Sequence, residues 1–197
     1  ALWQAVMHGK RQRFRREEEH PVDNVSWSDV QGFLQQLNAM VLAGDFRLPT
    51  EAEWEYACRA GTTTPFYFGE QITSEQVNYA NNQRGTVPVK VLPCNKWGLY
   101  QMHGNVWEWC QDWYAPYTVA AADTAEENYA LATDIATVDP IGVVETGATE
   151  GVHRVLRGGS WIFDGGFARS ARRHASRPGF RLDVYGLRLA RGQGARK

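Results

Sequence analysis

The chain has 197 residues and a net charge of −1, with 43% hydrophobic and 22% charged residues. This is the composition of one globular domain, which we place over residues 1–197, and it indicates neither a nucleic-acid binder nor an enzyme for acidic substrates. No apolar run reaches the ~18 residues of a membrane span, and 19 glycines with eight tryptophans favour a turn-rich fold over a helical bundle.

Two helices with a charged loop between them come first. Ala1–Met7 has the pattern of a short amphipathic helix, and the charge blocks of Lys10–Glu19 indicate a solvated loop. Ser26 or Ser28 is placed to cap a longer helix, whose apolar residues recur at helical spacing until Gly44. Because the chain starts inside an element, we expect its natural N-terminus to be missing, which leaves a cell-surface or extracellular location open.

A third helix lies between two extended segments. Phe46–Pro49 is predicted to be a short strand or an extended link. Thr50 is then a candidate N-cap, with Glu53 in capping-box position, for a helix that ends near Gly61. Val87–Leu92 has the composition of a strand.

The stretch Gly98–Trp113 concentrates three tryptophans, a tyrosine, a methionine and two carboxylates. Each large aromatic side chain buries roughly 150–250 Å², so we expect this stretch to run through the core. Its polar residues then need hydrogen-bond partners or a bound cation. Without a CxxC spacing there is no indication of zinc, and buried thiols are predicted for Cys58, Cys94 and Cys110.

The second half of the chain changes character twice. Residues 118–150 carry carboxylates but no Lys or Arg, and we interpret them as an acidic surface insertion with a short helix near 126–132. Arginines dominate after it, with strands predicted at Arg154–Arg157 and Leu187–Ala190. These arginines are spaced among small residues, which favours loop anchoring over nucleic-acid binding.

Five phrases follow one another in a characteristic order: Pro21–Trp27, Phe46–Ala57, Gly98–Trp109, Arg157–Trp161 and Gly186–Arg188. Together they resemble the formylglycine-generating enzyme (sulfatase-modifying factor) family. The resemblance implies an α+β fold of the C-type lectin-like type, with two helices packed on short antiparallel strands and much irregular structure. Family members usually begin with a further strand region.

The resemblance also implies an activity, because the family's enzymes oxidise a sulfatase cysteine to formylglycine with molecular oxygen and copper. Two cysteines after a Gly-Gly-Ser-aromatic motif hold that copper. Here the motif is Gly158–Trp161, and the two cysteine positions fall on Phe163 and Ala168. Neither side chain offers a thiolate, so no copper and no catalysis are expected.

Calcium is the cofactor that the resemblance leaves possible, at a structural site. The implied ligands are hard oxygen atoms, which suit Ca²⁺. The alternative is that the carboxylate of this set accepts hydrogen bonds from the backbone or from an arginine. The implied ligands are the side chain of Gln101, the carbonyls of Gly104 and Val106, and the carboxylate of Glu108.

The segment after the motif resembles the variable region of proteins that retroelements diversify on this lectin-like scaffold. Mutagenesis of adenines in Asn codons cannot yield Lys, Glu, Gln, Met or Trp, and none of these occurs between Ile162 and Arg191. Exposed aromatics beside arginines are typical of binding hot spots, and we expect several aromatics of this segment to be exposed. The candidate ligand-binding residues are Ile162, Phe163, Asp164, Phe167, Arg172, His174, Ser176, Phe180, Leu182, Asp183, Val184 and Tyr185.

The sequence therefore predicts a non-catalytic binding protein that displays a variable, aromatic and Arg-rich surface to a protein or glycan ligand. One alternative is a sulfatase-modifying oxidoreductase or accessory factor, with a different metal site built from His153, Asp164 and His174. Another is a regulatory module of a longer signalling protein.

Overall fold

The computed structural model describes residues 2–7, 19–42, 44–115 and 152–192. The acidic insertion predicted at 118–150 and most of the charged loop Lys10–Glu19 lie outside these ranges. The helices are α1 (Leu2–Val6), α2 (Trp27–Met40) and α3 (Glu51–Arg59), and a 3₁₀ turn covers Gly165–Ala168. The strands are β1 (Phe46–Arg47), β2 (Trp107–Trp113), β3 (Arg154–Arg157), β4 (Arg173–Ser176), β5 (Tyr185–Leu187) and β6 (Ala190–Arg191).

The two longer helices begin where the sequence predicts, because each has a complete capping box. In α2 the Ser26 hydroxyl accepts the N–H of Asp29, whose carboxylate accepts the N–H of Ser26 at 2.9 Å. Thr50 and Glu53 form the same reciprocal pair at the start of α3. Such caps are worth about 1 kcal/mol each. No helix in the described part of the chain is long and apolar enough to cross a membrane.

The aromatic stretch forms the centre of the main sheet. The strand order is β4-β3-β2-β5, and residues 101–110 are buried throughout, as predicted. β3 runs antiparallel to β2 and β4, whereas β5 runs parallel to β2. β1 and β6 form a separate antiparallel pair. The predicted α+β class is thus confirmed, with a mixed main sheet.

The main sheet separates two hydrophobic clusters, because alternate side chains of a strand point to opposite faces. Trp107 and Trp109 join the larger cluster, to which α1 and α2 contribute. Cys110 joins the smaller cluster, which includes Trp54 and Cys58 of α3. Burial of each large apolar side chain stabilises the fold by roughly 1.5–3 kcal/mol. The sheet is therefore held between α2 on one face and α3 on the other.

Four local predictions are wrong. The strand predicted at Leu187–Ala190 is interrupted at residues 188–189, so that its two ends belong to β5 and β6. Val87–Leu92 forms turns, because Pro88 has no N–H for a ladder and its carbonyl accepts a local hydrogen bond at 3.3 Å. Cys94 is exposed, whereas the other two cysteines are buried. Residues 173–176 form β4, although no strand is predicted between Arg157 and Leu187, because β3 offers them a free edge.

Candidate ligand-binding face

Four strand ends meet at one end of the main sheet and position the segment predicted to bind a ligand. Trp107 at the start of β2 pairs with Tyr185 at the start of β5. The next residue of β2 pairs with Arg157 at the end of β3, which pairs in turn with Arg173 at the start of β4. The loop 158–172 therefore leaves and re-enters the sheet beside Trp107.

Aromatic side chains from the strands and from this loop contact one another. The ring centre of Trp107 lies 4.9 Å from that of His174 and 6.3 Å from that of Phe163. Phe163 lies 5.1 Å from Phe167, and the guanidinium carbon of Arg172 is 4.7 Å from the Phe167 ring centre. We call these five residues the aromatic cluster. Its innermost member, Trp107, is buried, and burial together with Arg172 lowers the pKa of His174.

The second half of the predicted segment, residues 177–183, lies against the start of α2. The N–H of Ser28 donates to the Pro178 carbonyl at 3.1 Å. Arg181 forms a bidentate ion pair with Asp29, with both distances 2.6 Å. The structure therefore gathers the candidate residues into two groups, one around Trp107 and one beside α2.

Exposure divides the candidate residues into three classes. The exposed ones are Ile162, Phe163, Asp164, Phe180, Leu182 and Asp183, and the half-buried ones are Phe167, Arg172 and His174. Several aromatics of the segment were expected to be exposed, and Phe163 and Phe180 are. Tyr185 is buried, because β5 places its ring in the larger hydrophobic cluster and its hydroxyl 3.2 Å from His174 Nε2. Strand pairing also removes neighbouring candidates from the surface, and the buried residues are Ser176, Val184 and Tyr185.

A buried ion network fixes the end of the loop 158–172. The fully buried guanidinium of Arg157 donates to the carboxylates of Glu51 (3.1 Å) and Glu55 and to the carbonyls of Ser170 (2.7 Å) and Ala171 (3.1 Å). Glu51 also accepts two hydrogen bonds, of 2.6 and 2.8 Å, from the first arginine of β4. A buried charge is tolerated only with such partners, so this network ties the loop to α3.

His103 supports the same loop from its other side. Its Nδ1 lies 2.7 Å from the Ala168 carbonyl, and its Nε2 accepts the N–H of Tyr67 at 3.0 Å. These contacts require a neutral ring with the proton on Nδ1. Burial, with Arg59 nearby, lowers the pKa of His103 to about 4. Nothing in the sequence indicates that His103 and Arg157 support this loop, because their partners lie far away along the chain.

The residues at the family's two copper positions do not fit copper. Phe163 belongs to the aromatic cluster, and Ala168 is buried in the 3₁₀ turn, so neither supplies the soft ligand that copper prefers. Burial raises the pKa of Cys58 to about 12 and that of Cys110 well above its ordinary value, which keeps both as neutral thiols.

The metal site that the oxidoreductase alternative would build from His153, Asp164 and His174 does not form. Among the residues that the structure describes, no three side chains of His, Cys, Asp or Glu group closely enough to hold a metal ion. Asp164 instead caps the 3₁₀ turn through the N–H of Gly166 at 2.9 Å. His174 packs on Trp107.

The side chains predicted to bind calcium have protein partners. Glu108 accepts two hydrogen bonds from Arg188, both 2.8 Å, and one from the indole N–H of Trp54 at 2.7 Å. The Gln101 carbonyl oxygen accepts from the Asn105 amide at 2.8 Å. These contacts favour the alternative reading, a carboxylate paired with an arginine. Calcium binding stays a prediction for Gln101, Gly104, Val106 and Glu108.

The sequence matches the model of the sulfatase-modifying factor enzyme 1-like domain over residues 3–193. It is 38% identical to the serine/threonine-protein kinase pkn1 of Chlamydia caviae over 177 residues, 88% of this chain and 24% of the kinase. It is 35% identical to the formylglycine-generating enzyme of Streptomyces coelicolor over 200 residues, 92% of this chain and 56% of the enzyme. The chain thus spans about a quarter and about half of these relatives.

The fold is similar to that of variable protein 1 of Treponema denticola. The TM-score is 0.71, with 27% sequence identity, and the match covers 96% of this chain and 80% of that protein. This similarity confirms the predicted C-type lectin-like fold of the formylglycine-generating-enzyme type.

Proposed function

Because this chain belongs to the family of sulfatase-modifying factor enzyme 1-like domains, we propose that it is a non-catalytic member that binds a ligand through residues 162–183. We call this surface the 162–183 face. It comprises the exposed candidate residues together with Phe167, Arg172 and His174 of the aromatic cluster, and it ends before the buried start of β5. The scaffold behind it would hold the backbone while the side chains of the face vary.

The observation that carries this proposal is the replacement of both copper ligands on an otherwise intact scaffold. Phe163 and Ala168 stand where the family's enzymes have cysteines, and the two buried cysteines of this chain are neutral thiols in the other hydrophobic cluster. Thiolate is the form that binds metal. The copper-dependent oxidation therefore has no ligand set on this surface.

The exposed side chains of the face support a binding function. Ile162 and Phe180 are about half exposed, at 50% and 51%, and Phe163 and Leu182 are 36% and 37% exposed. Apolar side chains exposed together mark interaction sites, and aromatic residues beside arginines are frequent hot spots. The similarity to variable protein 1 of Treponema denticola supports the retroelement-diversified type of such a protein.

An oxidation assay tests the non-catalytic part of the proposal. The protein is incubated with copper, oxygen and a sulfatase-type cysteine peptide, and mass spectrometry measures the aldehyde product. The formylglycine-generating enzyme of Streptomyces coelicolor is the positive control. We expect no aldehyde above the level that copper alone produces, and multiple turnovers by this protein would refute the proposal.

A sulfatase-modifying oxidoreductase or accessory factor is the second candidate, favoured by the 35% identity to the Streptomyces enzyme. It requires a metal centre other than the family's cysteine pair. Metal analysis of the purified protein distinguishes the two, because an oxidase needs stoichiometric copper or iron. Aldehyde formation without either metal would contradict both candidates.

The identity to chlamydial kinases favours a third arrangement, in which this domain is part of a longer signalling protein. Ligand binding by the 162–183 face would then regulate an attached domain. The flanking DNA distinguishes the possibilities. A kinase domain in the same reading frame favours this arrangement, whereas a neighbouring reverse transcriptase and a template repeat favour diversification by a retroelement.

A further inference from the structure

Three arginines of the 162–183 face have no acidic partner among the described residues. Arg169 and Arg177 are exposed, and Arg172 is half-buried against a phenyl ring. By contrast, the neighbouring Arg173 and Arg181 form ion pairs with carboxylates. Arg172 and Arg177 flank the two ends of β4, and unpaired positive charges on a protein surface attract anionic groups.

Acidic residues of the face offset part of this charge. The face contains two, Asp164 and Asp183, and both are exposed. One carboxylate oxygen of Asp164 accepts the N–H of Gly166, which holds it at the start of the 3₁₀ turn. Since Arg181 is neutralised by Asp29, the face retains a small excess of positive charge.

Three nitrogen donors in or beside the face lack a hydrogen-bond partner in the described part of the chain. Within the described residues, the Nε of Arg172 and the indole N–H of Trp161 are buried without an acceptor. The indole N–H of Trp107, at the inner side of the aromatic cluster, is also buried without an acceptor. A buried donor without a partner costs about 1–3 kcal/mol. Each of these atoms is buried, so a ligand on the surface contacts the exposed arginines and not these donors.

The apolar part of the face distinguishes between a protein and a glycan. Ile162 and Leu182 are exposed aliphatic side chains, and Phe163 and Phe180 are exposed aromatic ones. Aliphatic side chains gain free energy by contact with apolar groups, whereas sugar hydroxyls in their place would lose hydrogen bonds to water. The combination of aliphatic surface and unpaired arginines fits a protein segment better than a glycan.

We propose that the 162–183 face binds an acidic segment of a partner protein. Its carboxylates contact Arg169, Arg172 and Arg177, and its apolar side chains cover Ile162 and Phe163. This inference rests on the proposed function, and it names the chemistry of the partner.

A charge-reversal experiment with a matched control tests the proposal. The wild-type protein selects peptides from a random 12-residue display library, and their dissociation constants are measured for two variants. R169E/R177E reverses two exposed charges of the face, whereas K90E/K96E makes the same change in net charge at two exposed lysines outside it. Circular dichroism shows whether each variant is folded.

We expect the selected peptides to be enriched in Asp, Glu and apolar residues. R169E/R177E should weaken their binding at least tenfold, and K90E/K96E by less than twofold. Wild-type binding should also weaken between 0.1 and 1 M NaCl, where the Debye length falls from about 10 Å to about 3 Å.

Three results overturn the acidic-partner proposal. The first is that the selected peptides contain no excess of carboxylates, and the second is that both variants lose the same amount of peptide affinity. The third is that the library yields no binder while an array of acidic glycans does. These results leave a non-catalytic binding function intact. Turnover in the oxidation assay, in contrast, would refute the binding function itself, so the two failures are distinguishable.

Discussion

Replacing Arg157 with methionine tests the network that holds the loop 158–172. Methionine has a comparable length and keeps apolar contact with Trp54, over which the guanidinium carbon lies at 5.5 Å. It removes the donors that bind Glu51, Glu55 and the carbonyls of residues 170 and 171. The change therefore isolates the charge and hydrogen bonds of one buried side chain.

The structure sets the size of the expected loss. Breaking a buried ion pair by removing one partner costs about 3–5 kcal/mol. Glu51, which is 5% exposed, keeps its pair with Arg173, and Glu55 is 27% exposed and screened by water. We therefore expect the free energy of unfolding to fall by about 3 kcal/mol, at the lower end of that range. Total stability is typically about 5–15 kcal/mol, so this is a large fraction.

The control is R181M, which breaks the Arg181–Asp29 pair on the surface. The side chains of this pair are 52% and 28% exposed, and pairs of this kind contribute about 0–1 kcal/mol. Urea unfolding gives both free energies, and hydrogen exchange of residues 158–172 reports on the loop. R157M should accelerate exchange in the loop, and R181M should not. A loss for R157M no larger than that for R181M would refute the role of the network.

Three further predictions concern the scaffold. The pKa of His103 is about 4 in the folded state and about 6.5 in the unfolded chain. At a pH between these two values, its imidazole is therefore protonated only in the unfolded state. The free energy of unfolding should therefore fall by about 3 kcal/mol from pH 7 to pH 4 because of this group. In H103Q, urea titrations at the same pH values should lack this part of the pH dependence. E108Q should lower the free energy of unfolding by about 2 kcal/mol, since Arg188 loses its ionic partner while one end of the pair is partly exposed. A calcium-dependent rise in the wild-type melting temperature that E108Q abolishes would instead support the calcium site. Gly159 has φ +76°, and a Cβ there would lie 2.9 Å from the Ala168 Cα. G159A should therefore lower the free energy of unfolding, measured in urea, by about 2–4 kcal/mol. An unchanged unfolding midpoint would contradict the close approach of the loop to Gly159.

Local chemistry explains which parts of the fold were predictable. Ser26 and Thr50 begin helices because their hydroxyls accept the N–H groups three residues later, and both partners of each cap lie within one turn. The burial of residues 101–110 followed from the composition of Gly98–Trp113, because so much aromatic surface has to leave water. Neither prediction needed knowledge of a distant partner.

Long-range pairing explains what the sequence did not show. Tyr185 reads as one more exposed aromatic of a variable segment, but it pairs with Trp107 in a strand order that no local pattern specifies. The Arg-rich end of the chain is visible in the sequence, whereas the division into a buried Arg157, a paired Arg181 and an unpaired Arg169 is not. That division depends on which carboxylates α2 and α3 bring to each arginine.

The location of a bound ligand tests the central claim most directly. Hydrogen–deuterium exchange is measured on the wild-type protein with and without a saturating peptide selected from the random library. We predict slower exchange in residues 158–172 and 177–183, and unchanged exchange at the exposed aromatic pair Tyr56 and Trp97 on the α3 side. Protection around Tyr56 and Trp97, with none in the 162–183 face, would contradict the account.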